Sequence, residues 1–500
     1  MIKNNNKKTL IFITDDIRLH SGIGTISREL VVNAAHKYNF IVLGAAVNHP
    51  EQGKVFDLSD SINQEAGITD SSVFLHAVSG YEQPTLVRQI INSFSIDGLV
   101  FITDPRYYIW LFQMENEIRR KVPLIYINIW DSIPYPKYNT SFYRSCDMLL
   151  GISKQTKNIN KVLIGKDNYI DLDNETPTEK TTKKLVKYFP HGIDEKKFFP
   201  IPDKTKNEEY IQAAKSIIPT YTGDEFIVFW NNRNIRRKNP SDIILGFTTF
   251  VDHLPAEKQK KAYLIMHTQP IDDNGTDLLR CIKDLTDPKK HNIIFSPGPV
   301  DYRKLNNLYN MADCVISATD NEGWGLSMTE AMMSGKMIVP TVTGGHIDQM
   351  RFVDENNKWI DYTEDFGSNH NSKYTKCGEW AIPLYIKSRP LQGSVPTPYI
   401  SCDKIDFEDI AIGIAQIHSL GKEETSRRGL LAREWATSDE SKMSVNNMCK
   451  TFVSSVDTLL NVWTPTPKYI VYKVKDVVET SINQPLPYTK EFKSKIEKYI

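Results

Sequence analysis

Short apolar runs closed by turn residues alternate along this chain with stretches of helical period. In the first half the runs fall at 10–14, 40–44, 98–103, 124–129 and 148–152; in the second they fall at 226–230, 262–267, 292–295, 314–318 and 337–341. None has the two-residue alternation of a half-exposed strand, so each predicts a strand buried on both faces, as in parallel sheets with crossover helices. After the first run, Ile23, Ile26, Leu30 and Ala34 recur three and four residues apart and share one helical stripe. The pattern predicts the α/β class, with two doubly wound domains and ligand sites at the carboxyl ends of their strands.

Between the halves lies a polar, lysine-rich stretch, 166–187, followed by Phe189-Pro-His-Gly-Ile-Asp194 and a proline-bearing segment through Pro202, which together read as a connecting hinge. The expected domains are 1–195 and 196–463, with a tail at 464–500 that crosses back to the amino-terminal domain. An irregular region at about 356–401 is too long for a simple loop and predicts an insertion. The Asn4 to Asn6 head is expected to be disordered.

Composition narrows the function classes. A chain of 500 residues, 40% hydrophobic, has ample material for more than one core. Lys plus Arg (61) equals Asp plus Glu (61), so no global field favours a polyanion or a membrane surface, and any basic recognition must be local. The six cysteines contain no C-x-x-C pair, which argues against a zinc site or a secreted disulfide framework. With no apolar stretch near the roughly 18 residues of a bilayer crossing, no transmembrane segment and a cytoplasmic location are expected.

Three loops carry candidate chemistry. In the first, Thr319 to Gly335, Glu322 and Glu330 bracket a glycine-rich strand-to-helix turn. Gly323 and Gly325 let backbone amides approach a ligand, and a helix starting near Ser327 would aim its positive end at an anion such as a diphosphate. Ser327-x-x-Glu330 also reads as a capping box, in which Glu330 merely closes the helix start. In the second loop, after the 226–230 run, Arg233 and Lys238 leave the end of a strand, with Asn239 as the expected cap and Pro240 at the first helical position. A fork donor and a point charge suit phosphate oxygens there, although a solvated basic turn gives the same sequence. In the third, Gly22 and Gly24 sit in a loop that could admit a phosphate or a hydroxyl; Ser27 breaks the G-x-G-x-x-G fingerprint, and a tight turn accounts for the glycines equally well.

The stretch from Glu322 to Gly335 resembles the two-glutamate signature of retaining glycosyltransferases of the GT-B fold, usually close to EGFGLPLLEAMACG. The loop at 21–24, Pro190-His-Gly-Ile-Asp194, the Arg233 and Lys238 pair, 305–318 and Thr343-Gly-Gly345 match the same family in order. The resemblance spans about 10–460. It implies two facing Rossmann-like domains with a cleft between them, an acceptor-binding first domain and a second domain that binds a nucleotide sugar. By that resemblance Arg233 and Lys238 neutralise the donor diphosphate, Glu330 receives the ribose hydroxyls, and Glu322 holds the transferred sugar beside the backbone of Gly323, Trp324, Gly325 and Leu326. Gly22 and Gly24 belong to the same donor-contacting set, no metal or other cofactor is required, and the sugar transferred is a hexose or pentose.

The chain departs from the family at Trp130-Asp131, where many relatives carry a histidine before the aspartate; Asp131 then takes the pocket role, or the donor phosphate acts as the base. His191 lies in the hinge motif and does not substitute for it. The acceptor implied is a hydroxyl of a saccharide or glycan. A hydroxylated DNA base or a protein acceptor is an alternative, with nucleic acid not favoured, and a non-catalytic scaffold of the same fold is the rival from another class. Asp171-Leu-Asp173 has the spacing of a metal-binding pair but sits in a charged stretch and reads as surface loop.

Overall fold

The computed structural model describes residues 6–362 and 374–467. The chain divides into two compact units, the first comprising the residues up to Gly192 with Ser394–Pro398 and the segment from Val445, the second Ile193–Gly393 with Tyr399–Ser444.

In the first unit, nine strands among the described residues form one sheet: β1 (Lys8–Asp15), β2 (Tyr38–Ala46), β3 (Val55–Asp57), β4 (Val73–Ser79), β5 (Gly98–Ile102), β6 (Leu124–Asn128), β7 (Met148–Gly151), β8 (Tyr169–Asp171) and β9 (Lys184–Tyr188). Their order is β3-β4-β2-β1-β5-β6-β7-β9-β8, parallel except where β3 pairs with β4. Leu10 to Ile13 are fully buried, as expected of a strand covered on both faces. The helix Gly22–Ala34 buries Ile26, Leu30 and Ala34 of the expected stripe.

The second unit carries five parallel strands, β10 (Phe226–Asn231), β11 (Ala262–His267), β12 (Asn292–Phe295), β13 (Cys314–Ser317) and β14 (Met337–Pro340), in the order β12-β11-β10-β13-β14. Ile227 to Trp230 have no exposed surface; Val228 and Trp230 pack into a core with Ile243, Phe247, Ile316 and Ile414, and Phe229 packs edge-on against Tyr309. The direction of winding reverses between β10 and β13, so the loops leaving those two strands border the crevice where doubly wound sheets take ligands. A hairpin of β15 (Leu391–Ser394) and β16 (Thr397–Ser401) follows.

Three expectations are corrected. The stretch at 166–187 is not a bare hinge, because β8 and β9 complete one edge of the first sheet there. The return to the first unit comes before the expected 463 boundary, since the helix Val445–Val462 already belongs to that unit and its Phe452 packs edge-on against Tyr38. Within the region read as an insertion, 380–384 runs beside β14, with the amide of Ile338 donating to Trp380 O and that of Leu384 to Pro340 O, both at 2.9 Å. Of the expected disordered head only Asn6 is described, and the 468–500 part of the expected tail lies outside the described residues. Among the described residues no helix is long and apolar enough to cross a membrane.

Candidate active site

The loops after β10 and β13 are stitched together. The amide of Asp320 donates to Arg237 O at 2.8 Å, the Arg237 guanidinium donates to Asn321 O at 2.5 Å, and Asn239 Nδ2 donates to Asp320 Oδ1 at 2.8 Å. Asn239 does occupy the cap position before Pro240, but in the left-handed region at φ 45°, and its side chain serves this cross-link instead of the helix amides. The Lys404 ammonium holds both Asp320 oxygens at 2.7 Å.

This frame places the Lys238 ammonium on the Glu322 carboxylate as a buried ion pair. Burial raises the Glu322 pKa, but the charges of Lys238 and Arg237, with a smaller effect from His346 where that ring is protonated, outweigh it and bring it down to about 2. Gly323 to Gly325 then turn the chain into the helix Leu326–Met333, with Gly325 at the cap in the left-handed region, φ 84°. A Cβ on Gly325 would lie 2.7 Å from His346 Nε2, so glycine is required twice over, by conformation and by space.

The capping box is not formed. The helix starts one residue before Ser327, no side chain caps it, and Glu330 turns to another task. Its Oε2 accepts from the Tyr309 hydroxyl at 2.6 Å and from Asn231 Nδ2 at 3.4 Å. Burial raises Glu330 to about 7 even though the Tyr309 hydroxyl donates to it. A carboxyl that ionises near 4.5 in the unfolded chain and near 7 when folded is penalised in its charged form. The folded state therefore loses stability as pH rises through that window, by about 3 kcal/mol in all. Glu330→Gln should remove this slope, and urea unfolding at several pH values between 5 and 8 measures it; parallel curves for the two proteins would contradict the assignment.

Arg233 is the member left apart. Its side chain is 65% exposed and pairs with Asp272, Nε to Oδ2 at 2.8 Å. Asp131, Gly22 and Gly24 lie in the first unit. Gly22 opens the helix Gly22–Ala34, whose Ser21 cap accepts from the Gly24 amide at 2.9 Å, and a Cβ on Gly24 would sit 3.0 Å from Leu19 O. That close backbone approach is the tight turn foreseen as one reading of these glycines. Asp131 is half-buried and accepts from the Ser132 hydroxyl at 2.9 Å, while its carbonyl accepts from Gln155 Nε2 at 2.8 Å. Asp171 and Asp173 are held by ammonium groups, Lys157 reaching both at 2.8 Å. His191 is buried, and burial alone lowers it to about 4.

Two residues escaped sequence reading. Tyr309 sits inside an amphipathic helix, Tyr302–Met311, where an aromatic at helical spacing looks like core. His346 follows Gly345 and is fully buried; its Nδ1 lies 3.2 Å from Thr341 O, which fixes the proton there, and its Nε2 is buried with no partner among the described residues. Burial lowers it to about 4, so it is a neutral ring. Its only sequence signal is adjacency to the paired glycines.

Residues 211–360 match the family described as glycosyl transferases group 1. A mannosylfructose-phosphate synthase of Agrobacterium fabrum is 24% identical over 205 residues, which cover 41% of this chain and 39% of the length of that relative. A glycosyltransferase of Rickettsia africae superposes over 91% of this chain and 99% of its own, with a TM-score of 0.58 at 14% identity. HepE of Anabaena, solved with UDP and glucose, does so over 90% of this chain and all of its own, with a TM-score of 0.57 at 12% identity. The family match spans β10 to β14 and both stitched loops, so the stretch 211–360 is similar to the glycosyl transferases group 1, and the likeness to the solved structures gives the chain the GT-B fold.

Proposed function

We propose that this protein is a retaining glycosyltransferase that moves a hexosyl or pentosyl group from a nucleoside diphosphate to a hydroxyl of a saccharide acceptor. The observation that carries the reading is the buried Lys238–Glu322 pair beside a glycine turn that opens a helix, with Glu330 on that helix. Breaking the bond from sugar C1 to the phosphate oxygen builds negative charge on the diphosphate. Lys238, Arg237 and the amides of Trp324 to Leu326 are preorganised to receive it, and Arg233 can leave Asp272 to join them. These cations take the place that a divalent ion holds in metal-dependent transfer.

Glu322 exchanges part of its bond to Lys238 for hydroxyls of the transferred sugar, and Glu330, ionised, accepts the ribose pair. The acceptor oxygen forms the new bond to C1, and its proton passes to the departing phosphate oxygen, so no further base is required. The first unit, with Asp131, holds the acceptor in this reading. The fold likeness to a protein solved with UDP and glucose makes UDP-sugars the first donors to try.

Nucleotide sugars should raise the unfolding temperature, because a ligand bound only by the folded state stabilises it. Arg233→Ala and Glu330→Ala should each lower transfer by about 100-fold. Transfer and donor hydrolysis at the original rates in both variants would remove these roles.

A further inference from the structure

A cavity of about 630 Å³ opens at the other end of the second sheet, where Glu225, Asp313 and Lys336 precede β10, β13 and β14. Lys204, Lys336 and Lys422 line it, and among the described residues its lining holds one acidic side chain, Asp313. Asp313 is occupied, since the Lys422 ammonium holds its two oxygens at 2.7 and 2.8 Å. The other two ammonium groups converge on a single carbonyl, that of Asn310, at 2.6 Å from Lys204 and 3.0 Å from Lys336. Neither makes an ion pair with a carboxylate among the described residues, and Lys336 is only 9% exposed.

On one carbonyl oxygen the half-buried Lys204 and the buried Lys336 repel each other when both are charged, and one carbonyl cannot neutralise them. Burial lowers the pKa of both, and for Lys336 the charge of Lys204 adds to the effect. A group with two negative charges and several acceptor oxygens would satisfy both ammonium groups at once. The volume exceeds what a bare phosphate fills and lies in the range of small-molecule sites. Tyr210 and Tyr221, whose hydroxyls lie 2.8 Å apart, line the same space, and such groups suit a polyhydroxylated body.

We propose that this cavity is a second ligand site, distinct from the Glu322 loop, that takes a phosphate monoester dianion through Lys204 and Lys336. The inference does not depend on glycosyl transfer. A ligand there sits against the ends of both helices that hold Glu330, because Asn310 follows Tyr309 and Lys336 lies just beyond Met333.

Thermal unfolding with inorganic phosphate and with glucose 1-phosphate, each up to about 10 mM, tests it. Both should raise the unfolding temperature of the full chain, the better ligand by roughly 3 °C or more. Lys204→Met and Lys336→Met should each abolish the shift, and Lys238→Met should keep it. Because neither ammonium group has a carboxylate partner among the described residues, both variants at the cavity should unfold at or above the original temperature without ligand; if Lys336→Met does not fold, Lys204→Met decides. A larger shift with glucose 1-phosphate supports a monoester, and equal shifts support free phosphate at the same ammonium groups. No shift in the unaltered protein, a shift kept in Lys204→Met, or a shift lost only in Lys238→Met would overturn the site.

Discussion

Lys238→Met is expected to abolish glycosyl transfer, with a fall of about 1,000-fold or more, and to destabilise the second unit by about 3–5 kcal/mol. The two effects have different origins. Activity falls because, in the proposed reaction, the ammonium on Glu322 is also the charge that meets the leaving diphosphate. Stability falls because the change strands a buried carboxylate. Wild-type Glu322, held at about 2 against an ordinary 4.5, contributes stability that is complete above the higher value and is lost as pH drops toward the lower one. The variant should lack that acid-induced loss, because its Glu322 has already surrendered the stabilisation.

A double variant separates the roles. Lys238→Met with Glu322→Gln removes both charges and should recover most of the lost stability, since replacing a whole buried pair costs far less than breaking it. Transfer should stay absent. Recovery of transfer along with stability would mean that the pair is a packing device and that the charge on the diphosphate is met elsewhere.

Why most of the apolar runs were legible, and other elements were not, follows from burial; the exception is β12, half-buried at all four positions although its run predicts a strand covered on both faces. Ile227 to Trp230 are covered on both faces, so the strand is a continuous apolar run that no helix period imitates. β4 alternates buried and half-buried positions and includes His76, which dilutes that signal. β9 reads Lys-Leu-Val-Lys-Tyr, and its lysines merge into the surrounding charge, although Lys187 and Lys184 are where an edge region of a sheet tolerates cations. The helix Val445–Val462 shows its amphipathic period plainly, but the sequence does not say which unit its apolar face covers.

The site divides along the same line. Glu322, Lys238 and the glycine turn were legible because helix starts and strand ends impose local residue choices, and because they match a family signature. The partner of Glu330 was not, since Ser327 supplies a local explanation that satisfies every capping rule while Tyr309 comes from another helix. Arg233 was legible as a cation but not as one paired with Asp272, a contact across 39 positions of chain. His346 carries no period and no motif.

Gly344→Ala should destroy the site more completely than any charge change, and the reason is geometric. Gly344 adopts φ 48° and ψ −127°, a conformation closed to residues with a Cβ, and a Cβ built there would lie 1.8 Å from Glu322 O. No rotamer relieves the contact, because the position of a Cβ is fixed by its own backbone and Glu322 O is itself a backbone atom. The next amide, that of Gly345, donates to the same Glu322 oxygen at 3.0 Å, so the substitution pushes apart the two loops that position the carboxylate. A loss of about 4 kcal/mol or more is expected, equivalent to an unfolding temperature lower by roughly 10 °C, together with loss of donor binding. Gly298→Ala is the control: its φ of 83° also favours glycine, but among the described residues nothing lies within 4 Å of its Cβ, so it should cost about 1 kcal/mol. If the two variants unfold within a degree or two of each other, the loop after β14 yields freely and does not hold Glu322 in place.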